Sequence, residues 1–163
     1  MDVGGPMGLK PGHTSSIRRI EAAMLSYHAD MTLKNNPFEL GMDRLVDLDM
    51  EDDFVSKAAL TRIRDEEVSQ LQVGLVFDGA PISGSNDEYW PVLVDGQKVG
   101  QVTSAVYSPR LEQNIALALV AVAHAGIGTK AMIDMSGEPR GCEIVQKPFF
   151  CLLYTSPSPR DGR

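Results

Sequence analysis

The chain has 163 residues, of which 43% are hydrophobic and 23% are charged. This composition is typical of one folded domain, or two small ones, rather than of a disordered or fibrous protein. The 22 acidic and 15 basic residues give a formal net charge of −7, which argues against nucleic-acid binding because duplex-binding proteins present a basic surface to phosphates. The longest apolar run, residues 115–123, is shorter than the roughly 20 residues of a membrane helix, so no membrane partner is expected.

The first 68 residues are predicted to mix helices with loops and extended segments. Apolar side chains recur at helical spacing over residues 15–26, after hydroxyl side chains that can cap a helix. Residues 38–48 alternate only partly between apolar and polar, which fits a short strand or an extended connection. A second helix is predicted over residues 56–66, with Ser56 as its N-cap.

Residues 70–150 are predicted to be all-β. Strands are expected over residues 73–77, 91–94, 99–107, 114–123, 131–135 and 142–146. Asp95-Gly96 between two of them is typical of a type I′ hairpin, and residues 136–141 are expected to form the last loop. Six short strands separated by turns predict a small antiparallel barrel or sandwich, so the fold class of the whole chain is α+β.

Residues 151–163 fit neither pattern. They have no apolar periodicity, and residues 152–161 (LLYTSPSPRD) resemble a translated sequencing-adapter tail. We therefore predict an unstructured and non-native tail and exclude it from the fold.

Cysteine content, the N-terminal residues and an acidic run bear on the cellular compartment and on metal binding. Cys142 and Cys151 allow one disulfide but no disulfide framework, so a reduced, cytoplasmic protein is expected. The first five residues lack the basic and hydrophobic regions of a signal peptide. Residues 47–53 are rich in aspartate, but an EF-hand would need glycine where Asp52 stands, so a solvated loop and no metal site are predicted.

Two residues of the first predicted helix each allow two interpretations. Glu21 follows an apolar position and two arginines, so it is either an exposed charge with local pairing or a ligand contact. Tyr27 lies near the predicted helix end, where a phenol either borders the core or points into a cleft. The pattern alone does not separate these alternatives.

Five blocks of sequence, in order over residues 13–150, form a specific series. They read RIEAAMLSY (19–27) with DM (30–31) and NPFELGM (36–42), DFVSKAAL (53–60), GQVTSA with SP (100–109), NIALA (114–118) and PFF (148–150). These blocks resemble the signatures of the aminomethyltransferase family, which includes the glycine cleavage T-protein and dimethylsulfoniopropionate demethylase. The resemblance implies that residues 1–68 end a folate-binding domain and that residues 70–150 form the family's C-terminal barrel.

The resemblance also implies a cofactor and a site. Members of this family bind tetrahydrofolate in a central channel and transfer a one-carbon group from a small-molecule donor to its N5 nitrogen. The matching Glu21 would hydrogen-bond the pterin ring, because a carboxylate suits the adjacent N–H donors of its edge. Tyr27 would line the same pocket, and Arg19 is included in this site, although we expect it to orient Glu21 or to brace the helix.

The chain departs from the family in several places. Family members are more than twice as long, and the half that holds their catalytic aspartate has no counterpart here, so no catalytic residue is assigned in this chain. Glycine is replaced by Ala23 and by Ser56, which we expect to be mild changes. Met50 stands near a position where T-proteins carry arginine, which favours the demethylase-like branch.

Three functions therefore remain open. The first is a fragment of a tetrahydrofolate-dependent, demethylase-like one-carbon transferase, inactive by itself. The second is a T-protein aminomethyltransferase proper, and the third is a non-catalytic folate-binding or partner-binding module of a larger oxidase. A homodimer is expected for the full-length protein.

Overall fold

The computed structural model describes residues 5–8 and 15–150, and its architecture is α+β, as the sequence predicts. The helices are α1 (Ser16–Glu21) and α2 (Lys57–Glu66), with 3-10 turns at Gly5–Met7, Asp43–Leu45 and Val122–His124. The strands are β1 (Gln70–Phe77), β2 (Trp90–Val94), β3 (Gln97–Ser108), β4 (Gln113–Ala121), β5 (Lys130–Met135) and β6 (Glu138–Val145). Neither α-helix of the described residues has the length and apolar character that crossing a membrane would require.

The six strands form a closed antiparallel barrel in the order β1-β4-β3-β2-β5-β6. The ring closes because β1 pairs with β4 along its whole length and with β6 over Gly74–Phe77. Each of the six strands has a paired neighbour on both sides, which distinguishes this fold from the sandwich that the strand pattern also allowed.

Strand β4 is apolar over almost its whole length because both of its faces are buried. Successive side chains of a strand point to opposite faces. Ala116 and Ala118 belong to the core cluster inside the barrel. Ile115 and Leu117 belong to a second cluster, in which they pack with Ile20 of α1. The short helix α1 is thus fixed against the outer face of the barrel.

The two tight hairpins follow turn chemistry. Asp95 and Gly96 have φ values of 51° and 76°, which confirms the predicted left-handed turn between β2 and β3. Ser136 and Gly137 have φ values of 55° and 95° and form a second such turn. The predicted loop over residues 136–141 was therefore wrong, because a two-residue turn lets β6 begin at Glu138.

Helix α1 is shorter than predicted, since it ends at Glu21 and not at residue 26. Ala23 has a φ of 53°, in the left-handed region. The Ala23 N–H donates to Ile20 O at 2.9 Å and the Met24 N–H donates to Arg19 O at 2.8 Å. This pair of bonds is the Schellman motif that ends a helix, and glycine is the usual residue at its left-handed position.

The other two expectations for the N-terminal part also need correction. Ser56 precedes α2, but its φ is 77° and its side chain makes no capping hydrogen bond. The left-handed backbone places Ser56 outside the extended conformation of an ordinary N-cap residue. Residues 38–48 contain turns and the 3-10 turn Asp43–Leu45 and no strand. Most backbone hydrogen bonds of this segment lie within the turns, and one, from the Gln72 N–H to Glu39 O, joins it to β1.

Candidate functional site

Glu21 is the last residue of α1, and only 4% of it is exposed. Ser108, at the end of β3, donates a hydrogen bond from Oγ to Glu21 Oε1 at 2.5 Å. The Leu111 N–H donates to the same hydroxyl oxygen at 3.2 Å, which leaves the Ser108 proton for Glu21. The interpretation of Glu21 as an exposed charge is therefore wrong, because the side chain is buried and oriented by the barrel.

A cavity of about 510 Å³ lies beside Glu21. Its other lining residues are Arg18, Ala22, Met24, Arg110, Pro148 and Phe150. The Phe150 N–H donates to Glu21 O at 2.9 Å, and the guanidinium carbon of Arg110 lies 4.2 Å from the centre of the Phe150 ring. Among the described residues, the side-chain hydrogen bond of Glu21 is made by Oε1, and none is made by Oε2.

Arg19 braces α1 against the barrel and does not contact Glu21. Its Nη1 donates to Asp30 Oδ2 at 2.7 Å, and its Nη2 donates to Ser104 Oγ at 2.8 Å. The Asp30 side chain is fully buried. Of the two roles expected for Arg19, the geometry matches the bracing role.

Asp30 joins three separate stretches of the chain. Besides the Arg19 guanidinium, its Oδ2 accepts the Ser26 N–H at 2.9 Å. Its Oδ1 accepts the Thr103 hydroxyl of β3 at 2.6 Å. Both carboxylate oxygens of Asp30 thus accept hydrogen bonds from the protein, which marks Asp30 as a structural residue.

The structure does not bring Tyr27 into the cavity that Glu21 lines. The Tyr27 side chain is 48% exposed, and its ring centre lies 4.3 Å from that of His28. Tyr27 does not continue the helix, because the left-handed conformation of Ala23 ends α1 and changes the direction of the chain. A role for Tyr27 in ligand binding stays a prediction.

Two other blocks of the quoted series fasten the loops to the barrel. Asn36 Oδ1 accepts the Glu39 N–H at 3.0 Å, and Glu39 O accepts the Gln72 N–H of β1 at 2.7 Å. The Phe149 ring packs closely against Gly74 of β1, since a Cβ atom at Gly74 would lie 2.9 Å from Phe149 Cζ. Both ends of the series therefore contact β1.

Sequence reasoning missed Ser108, Asp30 and Arg110 as parts of this region. Asp30 and Ser108 both lie in the quoted family blocks, so their motifs were a usable signal. Arg110 had no signal, because its contact with Phe150 joins residues 40 positions apart. In the part of the chain that the structure describes, no three metal-ligating side chains come together.

The family is identified from the sequence of the barrel. Residues 71–150 match the glycine cleavage T-protein C-terminal barrel domain. The chain belongs to the glycine cleavage T-protein family. Its aminomethyltransferase relatives include the protein from Synechococcus sp. (strain CC9902), which is 39% identical over 132 residues, covering 81% of this chain and 35% of the relative. The protein from Symbiobacterium thermophilum is 34% identical over 155 residues, covering 92% of this chain and 40% of the relative.

A solved structure supports the same fold for this T-protein family chain. The crystal structure of the glycine cleavage system aminomethyltransferase T from Bartonella henselae matches 83% of this chain with a TM-score of 0.74 and 20% sequence identity. The match covers 37% of that protein. The chain thus spans between a third and two fifths of the length of the relatives it matches.

Proposed function

We propose that the protein to which this chain belongs transfers a one-carbon group to tetrahydrofolate, and that Glu21 holds the pterin ring. The observation that carries this proposal is the Glu21 carboxyl group, which is buried and bonded to Ser108 through one oxygen, in a residue that lines a cavity. A buried carboxyl group oriented in this way is prepared to accept hydrogen bonds.

The chemistry of the cavity fits one edge of a pterin. The aminopyrimidinone edge presents adjacent N–H donors, and a carboxylate can accept two of them in parallel. Phe150 gives the cavity an aromatic wall against which a flat ring can pack. Ser108 would keep Glu21 in one rotamer, so that little side-chain entropy is lost when the ligand binds.

The transfer step itself is assigned to residues outside this chain. A catalytic aspartate in the part of the protein that corresponds to the remainder of the relatives would assist at the N5 proton of tetrahydrofolate. The cavity at Glu21 would hold the acceptor in attack geometry, which is a contribution of positioning. In this proposal residues 1–68 complete a folate-binding domain, and the protein is cytoplasmic and a homodimer.

Two donors are supported by different observations. The name of the relatives, aminomethyltransferase, supports an aminomethyl donor. Met50, which stands near a position where T-proteins carry arginine, supports a sulfonium or related methyl donor, because a positive charge is missing from an already acidic loop. A non-catalytic, folate-binding module of an oxidase is the third alternative, and an upstream flavin domain would favour it.

Binding of 5-formyltetrahydrofolate to the protein encoded by the complete reading frame tests the role of Glu21. We expect Glu21→Ala to weaken binding by about 1–3 kcal/mol, or roughly 5- to 150-fold, since it leaves buried pterin donors unpaired. Glu143→Gln is the matched control, because it removes an exposed carboxylate on β6 outside the Glu21 cavity. Equal affinity of the Glu21 variant and the unaltered protein in calorimetry would remove Glu21 from the site.

The DNA on both sides of this reading frame separates the three functions. An upstream continuation into an aspartate-bearing folate domain would support the transferase, and the complete protein would then be assayed with aminomethyl and sulfonium donors. An upstream flavin domain would support the oxidase module. Stop codons on both sides would overturn the catalytic proposal and leave a folate-binding or partner-binding remnant.

A further inference from the structure

One mouth of the barrel contains a second cavity, separate from the one at Glu21. Its volume is about 320 Å³, and it lies between residues 81–85, Trp90, Met135 and Arg140. The start of β2, the end of β5 and the start of β6 meet at this mouth. Mouths of barrels are common places for small-molecule sites, and this volume is at the lower end of their range. We call it the Arg140 cavity.

The loop that forms one wall of the Arg140 cavity is held in place by a buried amide. Only 3% of Asn114 is exposed. Its Oδ1 accepts the Ile82 N–H at 3.1 Å, and its Nδ2 donates to Gly79 O and Ala80 O, each at 3.2 Å. These three bonds anchor residues 79–82 of the loop to β4.

The Arg140 guanidinium has unused donors in a largely buried position. Its side chain is 13% exposed. Nη1 donates to Ala80 O at 2.8 Å, and Nη2 donates to Glu138 Oε1 at 3.1 Å. Nε is buried without an acceptor among the described residues. A guanidinium has five N–H donors, and those that lack a partner in a buried place carry a desolvation cost.

The protein compensates the charge of Arg140 only weakly. Glu138 is its ion-pair partner in the described part of the chain, and that side chain is 68% exposed. An ion pair with an exposed carboxylate contributes little, because water screens it and competes for it. Nη1 and Nη2 each carry two N–H groups and use one of them inside the protein, so the remaining two can bond the carboxylate of a ligand.

The rest of the Arg140 cavity determines what would carry that carboxylate. Ile82 and Met135 pack against the core cluster to which Trp90 belongs, so they offer an apolar surface. Ser83 adds a hydroxyl group to the lining of the cavity. We propose that the Arg140 cavity binds a small organic carboxylate, with the carboxylate on the Arg140 guanidinium and an apolar body beside Trp90.

A fluorescence titration with sodium benzoate tests this site. Trp90 is the only tryptophan of the chain, so its emission reports on this cavity alone. At constant ionic strength we expect a saturable change in emission, and we expect Arg140→Gln to weaken binding by about tenfold or more. Arg62→Gln is the matched control, because Arg62 is an exposed arginine on α2 outside the cavity, and it should bind benzoate unchanged.

Two further measurements keep the test decisive if Arg140→Gln disturbs the loop through Ala80. In the unaltered chain, benzoate should shift the NMR signals of the Arg140 Nε–H and the Trp90 indole N–H together. Acetate and inorganic phosphate should bind more weakly than benzoate, because acetate lacks the apolar body and phosphate gains nothing from the apolar wall. The proposal would be overturned if benzoate bound without shifting these two signals. It would also be overturned if the Arg140 variant bound benzoate as tightly as the unaltered chain, or if phosphate bound as tightly as benzoate.

Discussion

Ser108 Oγ donates a 2.5 Å hydrogen bond to Glu21 Oε1, although the two residues are 87 positions apart in the sequence. Both partners are buried, with 0% of Ser108 and 4% of Glu21 exposed. The bond connects the end of α1 with the end of β3. The side chain that we propose for pterin binding is therefore positioned by the barrel.

Replacing Ser108 by alanine should destabilise the protein by about 1–3 kcal/mol, since it leaves a buried acceptor without its donor. Urea unfolding measures this change. Ser136→Ala is the control, because Ser136 makes the same kind of bond to Glu88 on the surface, and it should cost less than about 0.5 kcal/mol. Adding Glu21→Gln to Ser108→Ala gives a double-mutant cycle, and strictly additive effects would argue against this coupling.

Asp30→Ala should be more damaging than Ser108→Ala. It removes the partner of Arg19 inside the protein, and breaking a buried ion pair on one side costs about 3–5 kcal/mol. Asp49→Ala is the control, because Asp49 is 95% exposed and lies 3.8 Å from Arg64; it should change stability by about 0.5 kcal/mol or less. Thermal melts that show equal losses for the two variants would contradict the structural role of Asp30.

Ala23→Gly should stabilise the protein by about 1 kcal/mol, because a left-handed conformation is strained for alanine and free for glycine. The φ of 53° at Ala23 therefore makes the change from the family's glycine more costly than the sequence suggested. The neighbouring Ala22 has a φ of −84°, so Ala22→Gly should destabilise slightly. Equal melting temperatures for the two variants would show that the left-handed backbone at residue 23 does not strain alanine.

Lys147 should make the free energy of unfolding depend on pH in the alkaline range. Burial lowers its pKa to about 8, whereas an unfolded lysine titrates near 10.4. Between these values the unfolded chain binds more protons than the folded protein, so the free energy of unfolding should rise as the pH increases from about 8 to about 10.4. Lys147→Met should lose this rise, which urea unfolding at several pH values measures.

The exposed Lys98 provides the comparison for Lys147. Lys98→Met should keep the same pH dependence as the unaltered chain, because it leaves Lys147 in place. The difference in the free energy of unfolding between the Lys147 variant and the unaltered chain should change over this pH range. A constant difference would show that burial does not lower the pKa of Lys147.

Deleting residues 151–163 should leave the melting temperature unchanged, since this segment resembles an adapter-derived tail. The segment lies outside the described residues. The last described residue, Phe150, already makes its hydrogen bond to Glu21 O. A deletion that also removes residues 148–150 is the control and should lower the melting temperature. A large drop on removing residues 151–163 alone would show that they belong to the fold.

The barrel was predictable because its signals are local. Short runs of strand-forming residues and the Asp95-Gly96 turn can each be recognised from a few neighbouring residues. The end of α1 was not, because alanine has no preference for the left-handed conformation that Ala23 adopts. The burial of Glu21 was not predictable from the pattern either, because the hydroxyl group that donates to its carboxylate belongs to Ser108, which is far away in the sequence.

The double link from α1 and Asp30 to β3 has a consequence for gene exchange. Any crossover between residues 31 and 102 would combine the Arg19–Asp30 pair of one parent with the Thr103–Ser104 pair of another. Natural recombinants and engineered chimaeras should therefore survive when the breakpoint lies before α1, so that the helix is inherited together with the barrel.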